Sequence, residues 1–103
     1  MGNPNEVWGR RLKEAREATA LSQRELGIKA GLDPSVASTR INRYELGIHK
    51  ADYPTSQRLA AVLQVPVAFL YADDDDLAKV ILKFGAMKKA QRTKILSLIE
   101  AEA

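Results

Sequence analysis

Apolar positions recur along this chain in short helical stripes, each bounded by residues that start or stop a helix. Trp8, Leu12 and Ala15 repeat at i, i+4, i+7, which puts them on one face of an α-helix. Ahead of them, Asn3-Pro4-Asn5-Glu6 supplies an N-cap, a proline at the first helical position and a glutamate three residues past the cap. A first helix is expected over Pro4–Ala18. Ser22 and Glu25 read as a capping box for a second helix, with Leu21 and Leu26 as its hydrophobic staple. Gly31 is placed to end that helix in a left-handed conformation. Asp33-Pro34 then reads as cap and first residue of a third helix. Its buried stripe is Ala37, Ile41 and Tyr44, and Gly47 stops it.

The rest of the chain continues in the same manner. A loop over Ile48–Pro54 leads to a fourth helix capped by Thr55, with Leu59, Val62 and Leu63 inward. Pro66 opens a short fifth helix that buries Phe69 and Leu70. The acidic run Asp73–Asp76 suits the start of a sixth helix, where negative charge meets the positive end of the helix dipole. Leu77, Val80, Ile81 and Phe84 form its stripe and Gly85 its stop. A last helix over Lys88–Glu102 carries Ile95, Leu98 and Ile99 on one side, and Lys88, Lys89, Arg92 and Lys94 on a solvated surface. The pattern predicts an all-α protein: a compact five-helix domain over residues 1–72, then a two-helix C-terminal extension over 73–103.

Composition narrows the chemistry. The 103 residues are 46% hydrophobic and 28% charged, ordinary for one globular domain. There is no cysteine and a single histidine, His49, so no familiar metal site can be assembled and no cofactor is expected. With no glycine-rich phosphate loop and no convergent acid–base pair either, an enzyme is not expected. The charged first twenty residues do not read as a signal peptide, and the longest apolar run, Val67–Ala72, is too short to span a membrane. A cytoplasmic protein without membrane association is expected. The net charge of +3 lies wholly in the first part of the chain: residues 1–71 hold ten Lys/Arg against seven Asp/Glu, and 72–103 hold six of each. Such an excess permits phosphate contacts without requiring them.

The segment LSQRELGIKAGLDPSVASTRINRYELG, followed by a proline-led amphipathic helix, resembles the Cro/phage-repressor (XRE) class of helix-turn-helix proteins. The resemblance covers about residues 9–71, with GRRLKEARE similar to the family's first helix and RLAAVLQVPVAFLY to its fourth and fifth. It implies a fold in which the second helix braces on the DNA backbone and the third reads bases in the major groove. It places Gln23, with Arg24 beside it, at a phosphate, and pairs Arg16 with Glu45 as a structural brace. The chain departs from the commonest family pattern by about four extra residues, or one helical turn, between Gly31 and Gly47. Anchored at Gly47, the base-reading positions are Ser38, Thr39, Arg40 and Arg43. Anchored at Gly31, they are Pro34, Ser35, Val36 and Thr39.

The helical wheel selects among these positions. With Ala37, Ile41 and Tyr44 inward, Ser35, Thr39, Asn42 and Leu46 point directly away, flanked by Ser38 and Arg43. Ser38, Thr39, Asn42 and Arg43 are therefore expected at bases. Arg43 suits guanine, Asn42 adenine, and Thr39 a thymine methyl. Ser35, Arg40 and Lys50 join Gln23 and Arg24 as expected phosphate contacts. The extra residues are expected to lengthen the third helix. One reading helix makes few base contacts, so a homodimer on palindromic double-stranded DNA is expected. Residues 77–103 are the leading interface and Val67, Phe69 and Leu70 the rival one. Two other readings stay open: an antitoxin whose tail engages a toxin, or an adaptor that binds proteins and not DNA.

Overall fold

The computed structural model describes residues 4–102, all helical or looped. The α-helices are α1 (Pro4–Ala18), α2 (Gln23–Lys29), α3 (Ala37–Glu45), α4 (Tyr53–Leu63), α5 (Asp75–Ala86) and α6 (Lys89–Glu102), with a 3-10 helix over Val67–Tyr71 between α4 and α5. The predicted stripes meet in one core. Leu12, Leu26, Ile41, Leu59 and Leu70, one from each element up to the 3-10 helix, are fully buried. Trp8 meets Tyr44 edge-on at 5.6 Å between ring centroids, an arrangement that suits aromatic quadrupoles and ties α1 to α3. Phe69 and Leu70 are buried in this core, which leaves Val67 as the accessible member of the expected rival interface.

Cap chemistry explains most boundaries. At α2, Ser22 Oγ accepts from Glu25 N–H at 3.0 Å and Glu25 Oε1 accepts from Ser22 N–H at 2.9 Å, completing the capping box. The α4 cap is Asp52, not Thr55: the Asp52 carboxylate accepts from Thr55 N–H at 2.9 Å, and the helix begins at Tyr53. Asp74 does the same for α5 through Leu77 N–H at 2.8 Å. Asn3, the expected cap of α1, lies outside the described residues.

The third helix starts later than expected. Asp33 Oδ1 accepts from both Ser35 N–H (2.8 Å) and Ser35 Oγ–H (2.6 Å), and Val36 N–H bonds to Asp33 C=O. This closed turn competes with helix for the same backbone groups. Val36, at φ −121° and ψ −3°, leaves helical geometry, so α3 has nine residues and begins at Ala37. The extra residues therefore lie in the turn between α2 and α3. They do not lengthen α3, and Pro34, Ser35 and Val36 are not part of it. The two helices approach closely: a Cβ on Gly27 would sit 2.8 Å from Ala37 Cβ.

α5 packs one side on the core, and α6 leaves it. Ala78 is buried and Ile81 and Phe84 half-buried, whereas Leu77 and Val80 of the expected stripe are exposed. Gly85 does not stop α5, which runs on to Ala86; Pro66 packs on it, 2.5 Å from where a Cβ would stand. Arg92, solvent-exposed as expected, also holds this join. It donates to Phe84 C=O (3.1 Å) and Gly85 C=O (2.9 Å), and its guanidinium lies over the Phe84 ring. A cation there also meets the negative end of α5. No residue of α6 is buried. The radius of gyration is 15.0 Å and the long axis 51 Å, against about 13 Å for a compact chain of roughly 100 residues. The extension projects.

Candidate nucleic-acid interface

The inward stripe of α3 orients its outer face. Ala37, Ile41 and Tyr44 are buried, and Ser38, Thr39, Arg40, Asn42 and Arg43 are all exposed. Leu46, 60% exposed, extends this face one turn beyond Asn42 with an apolar side chain. Beyond the helix, Arg40, Tyr44, Ile48, His49 and Lys50 line an open hollow of about 440 Å³. Arg24 is exposed on the first turn of α2.

Beneath the face lies a buried ion pair. Arg16 on α1 donates to Glu45 at the end of α3 through Nε (2.6 Å) and Nη2 (3.0 Å), and its Nη1 donates to Leu21 C=O at 3.0 Å. The Glu45 side chain is only 3% exposed. Bidentate geometry of this kind is the strong form of a charged hydrogen bond. The bond to Glu45 outweighs burial and raises the Arg16 pKa above the ordinary arginine value. Arg16 and Glu45 are thus brought together as the resemblance implied.

Two expected phosphate contacts are otherwise engaged. Gln23 Nε2 donates to Glu45 Oε1 (3.0 Å) and to Asn42 Oδ1 (3.2 Å), so both amide hydrogens are directed within the protein. Ser35 gives its hydroxyl hydrogen to Asp33 inside the turn. The connection from Gln23 to Asn42 is the feature of this site that sequence reasoning missed. The two residues are 19 apart, and only the crossing of α2 and α3 brings them together.

A second polar cluster ties the extension to this unit. Buried Arg11 donates to Ala72 C=O (2.7 Å), Asp75 (2.9 Å) and Glu14 (3.1 Å), and stacks on Phe69. Burial opposes its charge, and the bonds to Asp75 and Glu14 more than offset that, so its pKa is raised.

Two helices joined by a turn, the second with a polar and basic outer face, define a helix-turn-helix protein. The chain belongs to the helix-turn-helix domain family, whose model matches residues 8–70. Among solved structures, that of the transcriptional regulator BswR is 42% identical, covers 90% of this chain and 92% of its own, and superposes with a TM-score of 0.85. No curated protein matches the chain. No helix among the described residues is long and apolar enough to cross a membrane.

Proposed function

We propose that the protein is a sequence-specific double-stranded DNA-binding transcriptional regulator that inserts α3 in the major groove as a homodimer. The observation that carries this reading is the exposed face of Ser38, Thr39, Asn42 and Arg43, set on a helix braced from behind by Arg16 and Glu45. A guanidinium, an amide and a hydroxyl on adjacent turns are the groups that discriminate base edges. Arg24, Arg40 and Lys50 are the cations placed to meet phosphate. Membership of the helix-turn-helix family and likeness to BswR, itself a transcriptional regulator, support the same conclusion.

Dimerisation is assigned to α5 and α6. Leu77 and Val80 on α5 and Leu98 and Ile99 on α6 are 52% to 61% exposed. Exposed apolar side chains on both helices of the extension suit a protein-binding surface. A second copy satisfies both that surface and the need for a second reading helix, with half-sites about 34 Å apart.

The test is selection of bound duplexes from a random library, followed by a salt titration on the enriched site. A palindromic consensus, with affinity falling steeply as salt rises, is the expected result. Absence of enrichment, or binding indifferent to salt, would move the assignment to a protein-binding adaptor.

A further inference from the structure

We infer that Gln23 is a positioning residue that fixes which end of the Asn42 amide faces the DNA, so that α3 offers a hydrogen-bond donor at that point. The inference rests on the reading of α3 as the base-reading helix. Its logic starts at Glu45. A carboxylate only accepts hydrogen bonds, so Gln23 must turn Nε2, and not Oε1, towards Glu45 Oε1 at 3.0 Å. The second hydrogen of the same nitrogen goes to Asn42 at 3.2 Å, and Asn42 must therefore answer with Oδ1. Its Nδ2 is left at the opposite end of a planar amide on an exposed side chain.

Reversing either amide forfeits the hydrogen bond it makes. Turning Asn42 over would set two NH2 groups against each other, and turning Gln23 over would set a carbonyl oxygen against the carboxylate. Arg16 holds that carboxylate in place through two bonds of its own. Polarity is thus handed from Arg16 through Glu45 and Gln23 to the reading face. An outward donor matches purine N7, guanine O6 or thymine O4, and opposes the amino group of cytosine. Asn42 Oδ1 keeps a second lone pair, which makes adenine the fullest match.

Library selection with the full chain, repeated for Asn42→Ala, Asn42→Asp and Gln23→Met, tests the inference. Asn42→Ala identifies the base position concerned, where the unaltered chain is expected to select adenine and exclude cytosine. Gln23→Met keeps the length of the side chain but has no donor; it is expected to reduce preference at that position on the order of tenfold and leave the other positions intact. Asn42→Asp still accepts from Gln23 but turns an acceptor outward, so the preference is expected to move to cytosine. A uniform loss of affinity with Gln23→Met, the preference unchanged, would place Gln23 at a phosphate and overturn the inference. An unchanged profile with Asn42→Ala would overturn it while leaving the DNA-reading function standing; no enriched site for the unaltered chain would remove that function itself. Amide exchange in the unaltered, DNA-free protein gives a measure that needs no variant to fold. Slow exchange of the Gln23 side-chain NH2 with fast exchange of that of Asn42 is expected, and the reverse order would overturn the inference.

Discussion

In the sequence Asn42 is an outward position expected at adenine, and nothing there marks its amide as held in one orientation. The constraint originates at Glu45, three residues on, whose carboxylate is shut away from water with Arg16. Removing one member of a buried pair strands the other, at a cost of about 3–5 kcal/mol. Glu45→Ala is expected to lower unfolding stability by that order in urea titration. A change below about 1 kcal/mol, the scale of an exposed ion pair, would show that the pair does not act as a buried one. The Arg16–Glu45 pairing was legible only through family resemblance. The Gln23–Asn42 link was not legible at all, because no local rule relates positions whose meeting depends on how two helices cross.

Boundary signals at the scale of the element were read well where one chemistry permits one outcome. Ser22 with Glu25 makes a capping box, and the structure has one. Asp33-Pro34 was misread because an aspartate that caps a helix and one that closes a turn on Ser35 use the same carboxylate and the same spacing. Gly85 was misread because a glycine that ends a helix and one that admits a close neighbour are identical in sequence. The junction between the 3-10 helix and α5 yields a pH prediction. The hydrogen bond from Arg11, and then its charge, lower the Asp75 pKa below the ordinary 3.8. A depressed carboxylate contributes stability that is full above the ordinary value and lost as pH falls through the folded one. Asp75→Asn is therefore expected to destabilise the protein at neutral pH and to reduce the loss of stability on acidification below about pH 4. Thermal unfolding of both proteins across that range measures it; parallel pH profiles would show that Asp75 does not contribute.

For the molecule as a whole, the helical class and the order of elements followed from stripes and caps, which are local. The projection of α6 did not, since an apolar stripe looks the same whether its partner lies in the same chain or another. Leu98 and Ile99, expected on one side of α6, are 61% and 55% exposed. Replacing both with lysine is expected to convert a dimer to a monomer in sedimentation velocity and to abolish the preference for a palindrome over a single half-site. A dimer that persists would place the interface away from α6.

The turn closed by Asp33 and Ser35 has a consequence for how such a domain varies. Lengthening a flexible connection is cheap, with each doubling adding only about 0.6 kcal/mol of closure entropy, whereas adding residues inside α3 would rotate every following side chain by about 100° each. Slack taken up before Ala37 leaves Ser38 through Glu45 at their fixed offsets from Gly47, and the outer face of α3 keeps its rotational phase. The length of the turn and the outer face of α3 can therefore change independently, one without rewriting the other.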